Sequence, residues 1–289
     1  MTEDFKYEDC RFADIQMLRY RLDGFDKLTL RQKKLVYCLA EAALWGRDMT
    51  FDQFGRYNLK IRKTLEAIYT GYDGDRNSSD FKGLETYLKR VWFSNGIYHH
   101  YGCDKFEPGF SKDFFVSAVK RIDHKQLPLQ DGQGVEALLD ELLPVIFDAG
   151  VLPVKVCKKT GWDLVKSSAC NFYEGVSQDE VEDYYSSMKK DASTSPHSYG
   201  LNTTVIKENG KISELTWRAG GKYSAAIEKI ITWLGKALAF AENDKQRKTI
   251  ELLIDYYRTG DLGIFNDYCV EWVEDKDSQI DFINGFIEV

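Results

Sequence analysis

The segment from Trp92 to Gly102 concentrates side chains that can bind a peptide. It reads WFSNGIYHHYG and joins aromatic rings, two imidazoles and one carboxamide to two glycines. This composition is too apolar for an ordinary solvent loop, so we expect a partly buried loop between two helices. In one interpretation Asn95, His100 and Tyr101 line a cleft and offer ring faces and hydrogen bonds to a peptide backbone.

The same aromatic residues admit a second interpretation. They can fill the core at a helix junction, which is a common place for large rings. This interpretation covers Trp92, Phe93, Tyr98 and Tyr101. Composition does not choose between the two.

A second candidate lies in the last residues of the sequence. Gln279–Val289 is apolar and strand-like up to its last residue, whereas chain termini are more often polar and frayed, and this predicts a truncated sequence. Glu288 stands within this apolar run. Its carboxylate is either a paired structural charge or a ligand for a substrate amine.

Several kinds of catalytic site have no sequence motif here. The chain lacks the phosphate-binding, dinucleotide-binding, nucleophile-elbow and zincin motifs. Its histidines are His99, His100, His124 and His197, and the adjacent pair would rarely bind one metal together. The six cysteines contain no C-x-x-C pair, which favours free thiols in a reducing compartment. We expect no complete metal site from this chain alone.

Composition and charge restrict the class of protein. Of 289 residues, 43% are apolar, which suffices for a sizeable core. The net charge is −7, and Glu242–Val289 alone carries twelve acidic and five basic residues. Because we find no basic face, we expect no nucleic-acid partner. With no apolar run long enough for a membrane span and no signal peptide, we expect a cytoplasmic protein and no membrane partner, and export of the parent protein stays an open alternative.

Capping boxes and apolar spacing predict a mostly helical chain. The T-x-x-Q boxes at Thr29 and Thr50 predict helices over Leu30–Trp45 and Phe51–Tyr69. Seven further helices are predicted: from Ser79 to Arg90, from Ser111, Val135–Phe147, from Ser177 to Lys190, Tyr223–Phe240, Asp244–Tyr257 and Leu262–Val273.

Strand signals are fewer. Val151–Val156 is typical of a short edge strand because it contains Pro153. Asn209-Gly210 between Thr203–Ile206 and Ile212–Trp217 predicts a β-hairpin. We therefore predict an α+β fold, mostly helical with a small antiparallel sheet. We expect one lobe over residues 1–289, with a possible division into a helical part, 1–150, and a mixed part, 151–289.

Four segments together resemble the dipeptidyl peptidase III family. Ser94-Asn95-Gly96 followed by YGCDKFEP at 101–108 is similar to the family segment S-N-x-G…F-G-D-x-K-F-x-P. GKYSAAIEKI at 221–230, WVEDK at 272–276 and GFIE at 285–288 also match the family in order and spacing. The resemblance covers most of the chain from Trp92 onward.

The resemblance implies a fold and an activity. Members of the family are two-lobed zinc exopeptidases that remove dipeptides from peptide N-termini, and the lower lobe has a small, partly barrel-like sheet. The zinc-binding motifs H-E-x-x-x-H and E-E-x-x-A-E are absent from this sequence. We therefore expect the N-terminal, substrate-holding lobe of such a peptidase, inactive by itself, with zinc in the parent protein.

The resemblance also implies partners and site residues. Glu288 matches the carboxylate that binds the substrate amine, and a helpful tyrosine would be the residue after Val289. Tyr101 matches the aromatic position that stacks beside the bound peptide. The expected partners are an oligopeptide and the remaining C-terminal lobe. The alternative is a non-catalytic α+β protein-interaction module.

Overall fold

The computed structural model describes residues 5–188 and 198–284. The chain divides into two compact units that interleave in sequence. The first unit comprises the chain up to Arg21 together with Thr50–Asn171, and the second comprises Leu22–Met49 together with the chain from Phe172 onward. The predicted division near residue 150 stays a prediction.

Helices dominate the first unit. An antiparallel hairpin, β1 (Glu8–Phe12) and β2 (Ile15–Leu18), precedes them. The helices are α2 (Arg47–Phe54), which begins in the second unit, α3 (Asn58–Gly71), α4 (Ser79–Ser94), α5 (Lys112–Arg121) and α6 (Val135–Phe147), and a 3₁₀ turn covers His124–Gln126.

The core of this unit follows from helical spacing. Along α4, Leu84, Leu88 and Val91 recur at intervals of four and three residues and are fully buried. Tyr87 and Tyr98 are buried with them, and burial raises the pKa of both phenols. These side chains form one cluster with apolar faces of α3, α5 and α6.

The second unit combines a helical layer with a small sheet. Its helices are α1 (Leu30–Leu44), α7 (Gln178–Met188), α8 (Ser224–Ala237), α9 (Asp244–Thr259) and α10 (Leu262–Glu274), with 3₁₀ turns at Phe25–Lys27 and Leu238–Phe240. Helix α1 packs on α8, α8 on α9 and α9 on α10. The strands are β3 (Tyr173–Glu174), β4 (Thr203–Glu208) and β5 (Lys211–Thr216).

The sheet of the second unit is mixed. Strand β3 pairs parallel to β4, and β4 pairs antiparallel to β5. The β4–β5 turn holds Asn209 at φ +50° and Gly210 at φ +78°, as a type I′ hairpin turn requires. Directly after β5, the Nε1 of Trp217, a residue only 1% exposed, donates to Thr204 Oγ1 at 3.1 Å. The predicted hairpin and the predicted α+β class, mostly helical with small sheets, are confirmed.

Of two predictions about helices, one is confirmed and the other is wrong. The capping box of Thr29 with Gln32 is present at the start of α1. The continuous helix predicted over Phe51–Tyr69 is wrong, because α2 already includes Thr50 and ends at Phe54, and α3 begins at Asn58. The break places the buried Asn58 at the head of α3, where its Oδ1 accepts the N–H of Ile97 at 3.3 Å.

The two predicted strands outside the hairpin are also corrected. Val151–Val156 forms only an isolated bridge, between Val154 and Asp104, because Pro153 has no N–H to donate to a longer ladder. From Gln279 to Asn284 the chain has no strand. This stretch lies instead along α10, whose Trp272 Nε1 donates to the carbonyl of Phe282 at 2.9 Å.

No helix in the described ranges is both long and apolar enough to span a bilayer. All six cysteines are free thiols.

The start of α7 supports a prediction about pH. Ser177 and Glu180 form the predicted capping box, and Glu180 also pairs with Lys207. The hydrogen bond from Lys207, with the Ser177 N–H, lowers the pKa of Glu180 from its usual 4.5 to about 2. A carboxyl group with a lowered pKa in the folded state stabilises the fold above its ordinary pKa, and this contribution is lost as the pH falls towards 2.

We therefore expect Glu180→Gln to lower the urea midpoint at pH 6 and to lose this effect progressively as the pH falls below 4.5. Asp183→Asn, an exposed carboxylate on the same helix, is the control and should show no such trend. A midpoint difference between Glu180→Gln and the unmodified chain that does not change with pH would contradict the prediction.

Candidate peptide-binding site

The loop predicted over Trp92–Gly102 begins only at Asn95, because helix α4 continues to Ser94; we call residues 95–102 the aromatic loop. Four short segments of the first unit lie side by side and support it. Tyr98 pairs with Lys105, and Asp104 pairs with Val154. Lys155 N donates to the carbonyl of Cys103 at 2.8 Å, and the Lys155 carbonyl accepts from Cys170 N at 3.1 Å. We call residues 97–99, 103–106, 153–155 and 169–170 the four-segment ladder.

Lys105 ties this ladder to the end of α6. Its Nζ lies 3.1 Å from the carbonyl oxygen of Val145 and 2.5 Å from those of Asp148 and Val151. These carbonyls belong to the last turn of α6 and the residues after it, where the helical N–H partners run out, although the Asp148 carbonyl also accepts the N–H of Val151 at 3.2 Å. Burial lowers the pKa of Lys105. The ammonium group therefore acts as a structural cap for the helix end.

Asn95 ends helix α4. It adopts the left-handed conformation at φ +54°, which asparagine tolerates better than most residues. Both its N–H and that of Gly96 donate to the carbonyl of Val91. This geometry fixes the direction in which the aromatic loop leaves the helix. The predicted contact of Asn95 with substrate stays a prediction.

His99 holds the turn that follows. Its Nδ1 accepts the backbone N–H groups of Tyr101 at 3.2 Å and of Gly102 at 2.9 Å. Because Nδ1 already accepts these two N–H groups, the His99 side chain stabilises the turn itself. Its ring stacks on that of His100 with a centroid separation of 4.4 Å.

His100 and Tyr101 are brought together on this turn. Their ring centroids are 4.5 Å apart, and Phe93 meets the His100 ring edge-on at 4.9 Å. The Nδ1 of His100 is buried and has no hydrogen-bond partner among the described residues. Burial, then the neighbouring His99, lowers the pKa of His100, so the imidazole is mostly neutral at pH 7.

Exposure separates the two interpretations of the aromatic residues. Tyr98 is 2% exposed and belongs to the core, as the core-filler interpretation states. Tyr101 is 87% exposed, so for this residue that interpretation is wrong. Tyr101 therefore presents a ring face to solvent on a backbone fixed by His99.

Glu288 lies outside the described residues, and its contact with a substrate amine stays a prediction. The described chain leading towards it is anchored within the second unit. Tyr257 Oη donates to Asn284 Oδ1 at 2.6 Å.

Two lysines of the ladder were not predicted as site residues. Lys105 lies within the quoted family segment, and Lys155 is the single charge in the apolar run 151–157. Lys155 is only 3% exposed, and its Nζ lies 4.2 Å from the ring centroid of Phe54. A lone charge in an apolar run was the signal that could have pointed to it.

The described residues do not fit a metal ion. They contain no group of three or more His, Cys, Asp or Glu side chains suitably placed to hold one. No catalytic step through a metal can therefore be derived from these residues.

Comparison with known proteins shows which family and which solved structures this chain is similar to. The model of the family described as "Peptidase family M49" matches residues 176–289. A structure of DPP III from Caldithrix abyssi superposes with a TM-score of 0.53 at 18% identity, covering 88% of this chain and 35% of that one. For dipeptidyl-peptidase III from Corallococcus sp. strain EGB, the TM-score is 0.51 at 16% identity, with 88% and 34% covered.

This chain thus spans about a third of the length of these two solved structures. No curated protein matches it. At these identities the structural likeness concerns the fold alone. The chain therefore has a dipeptidyl peptidase III-like fold, and residues 176–289, which match Peptidase family M49, form part of a peptidase-related domain.

Proposed function

We propose that this chain is the substrate-holding part of a zinc-dependent dipeptidyl peptidase, which removes dipeptides from the free N-termini of oligopeptides. The family match of residues 176–289 supports a peptidase. The observation that carries a role in peptide binding is the exposed ring of Tyr101 beside His100, on a turn held by His99. An exposed ring on a fixed backbone binds with little loss of conformational entropy.

Each predicted site residue has a distinct role in this proposal. Tyr101 packs its ring against the bound peptide, and His100 supports that ring and offers an imidazole nitrogen. Asn95 offers its carboxamide at the end of α4. Glu288 pairs with the substrate amine, which has a pKa near 7.7–8.0 and is therefore mostly cationic at neutral pH.

Zinc belongs to the larger protein in this proposal. Because the described residues do not fit a metal, they are assigned binding and orientation of the peptide only. The metal ligands and the remaining lobe would be supplied by the rest of that protein.

Tyr101→Ala tests the proposal directly. We expect the affinity of the purified chain for an unmodified pentapeptide to fall about five- to thirtyfold, the loss expected for an aromatic contact worth roughly 1–2 kcal/mol. The free energy of unfolding should change by less than about 0.5 kcal/mol, because the ring is exposed. Calorimetric titration and urea unfolding measure the two quantities.

Tyr20→Ala is the matched control, because Tyr20 is 77% exposed in the same unit and lies outside the aromatic loop. It should leave affinity and stability unchanged. In the complete peptidase, Tyr101→Ala should raise KM more than it lowers kcat, as expected when binding common to substrate and transition state is lost. Equal affinities for Tyr101→Ala and the control would reject the role of Tyr101.

A further inference from the structure

Helix α1 carries large apolar side chains that are exposed in a single row. Leu30, Tyr37 and Leu44 are 69%, 57% and 51% exposed. Because they are spaced seven residues apart, which is about two helical turns, they follow one line along the helix surface. Single exposed apolar residues are common on a protein surface, but three in one row form a surface able to contact another protein.

Two charged residues lie in the same row, one on each side of its centre. Lys34 and Glu41 alternate with the apolar residues, so that the row reads Leu, Lys, Tyr, Glu, Leu at positions 30, 34, 37, 41 and 44. We call these five residues the α1 row. Within residues 5–188 and 198–284, neither charged group forms an ion pair. Both charges are therefore available to a partner.

The other two cations of α1 are engaged within their own unit. Arg31 Nε donates to the carbonyl oxygen of Phe240 at 3.3 Å, and Lys33 Nζ donates to that of Asp26 at 3.1 Å. The charges that α1 can offer to another molecule are thus those of the α1 row.

Helix α8 holds the centre of the α1 row. The ring of Tyr37 meets that of Trp233 edge-on with a centroid separation of 5.7 Å. Lys236 Nζ lies 3.6 Å from the centroid of the Trp233 ring. Both helices belong to the second unit, and α1 packs on α8. Because the helix and the ring are fixed before binding, association through this row loses little conformational entropy.

The order of its residues makes the α1 row complementary to a second copy of itself. When two α1 helices lie antiparallel about Tyr37, Leu30 faces Leu44 of the second copy, and Lys34 faces Glu41 of the second copy. The two Tyr37 rings then meet at the centre. A parallel pair would instead bring Lys34 against Lys34 and Glu41 against Glu41. Since like charges in contact are unfavourable, the charge order selects the antiparallel arrangement.

We propose that this chain forms a homodimer in which α1 pairs antiparallel with α1 of a second copy, on a twofold axis at Tyr37. In such a contact both copies use the same residues. The row is about 21 Å long at the usual helical rise, so the interface is small. We therefore expect association that depends on concentration, as is typical of small interfaces. This inference does not depend on peptide binding.

Reversal of the two charges tests the pairing. Sedimentation velocity of the unmodified chain from about 1 µM to about 1 mM should show a shift from monomer to dimer. Lys34→Glu and Glu41→Lys each place like charges at two points of the dimer, and each should weaken association about tenfold or more. An equimolar mixture of the two variants should associate almost as well as the unmodified chain, because every glutamate then faces a lysine.

Two further variants control for changes in total charge and in apolar contact. Lys248→Glu makes the same change of charge at an exposed position of α9 in the same unit, and it should leave association unchanged. Leu44→Gln removes an apolar end of the row without adding charge, and it should weaken association. Urea midpoints close to that of the unmodified chain would show that these exposed substitutions leave the fold intact.

The possible outcomes decide the inference in either direction. Recovery of association in the mixture would support the antiparallel pairing, because a misfolded variant could not be rescued in this way. A chain that stays monomeric over the whole range would overturn the inference and leave the α1 row to a different partner. A dimer that tolerates both charge reversals, a mixture that fails to associate, or equal weakening by Lys248→Glu would also overturn it.

Discussion

Gly83→Ala is expected to lower the free energy of unfolding by about 3 kcal/mol, the upper part of the usual range for overpacking. A Cβ atom at this position would lie 1.8 Å from the carbonyl oxygen of Gly109 and 2.5 Å from its carbonyl carbon. Both atoms belong to the backbone, so no flexible side chain can move aside. Helix α4 would have to move away from the backbone at Gly109, which lies between residues 103–106 of the four-segment ladder and the start of α5.

Gly235→Ala provides the matched control for this prediction. Gly235 also lies within a helix, α8, but a Cβ there meets nothing within 4 Å. Since alanine favours a helix over glycine by roughly 0.8–1.0 kcal/mol, this variant should be more stable than the unmodified chain. Chemical unfolding with urea measures both variants, and a shift of the same sign for the two would contradict the close approach of α4 to Gly109.

Lys105→Met is expected to cost about 3 kcal/mol, because three carbonyl oxygens lose a charged donor and methionine offers no replacement. The methionine side chain is similar in length to the aliphatic stem of lysine, so the change removes mainly the ammonium group. The affected carbonyls are those of Val145, Asp148 and Val151. The end of α6 should therefore loosen before the rest of the unit, which amide hydrogen exchange of residues 145–151 would detect.

Lys82→Met serves as the control for Lys105. Lys82 is exposed on helix α4, and its replacement should change the free energy of unfolding by less than about 0.5 kcal/mol. If Lys105→Met and Lys82→Met unfold at the same urea concentration, the three carbonyl contacts contribute nothing to stability.

Local chemistry predicted the elements that depend on neighbouring residues. The Thr29 capping box, the Asn209-Gly210 turn and the helix Val135–Phe147 are each specified within a few residues of sequence. The break between α2 and α3 was not predictable in this way. It depends on the buried contact of Asn58 with Ile97, which lies 39 residues away in sequence.

The same distinction applies to the candidate site. The segment containing Asn95, His100 and Tyr101 was recognisable because unusual residue types are adjacent in sequence. The exposure of Tyr101 was not predictable, since an aromatic ring in an apolar segment suits a core equally well. Lys155 was missed because its neighbours Phe54 and Cys103 come from two other segments, and only the fold brings them together.

The interleaving of the two units has a consequence for synthesis on the ribosome. Helix α1 belongs to the second unit, yet its partner α8 begins only at Ser224. At about 5–20 residues per second, the apolar face of α1 waits on the order of ten seconds or longer for α8 to be made. Leu35 and Cys38, buried in the finished unit, remain exposed during that interval while the first unit can already complete at Asn171. These apolar residues of α1 therefore stay uncovered after the first unit is complete, until α8 has been made.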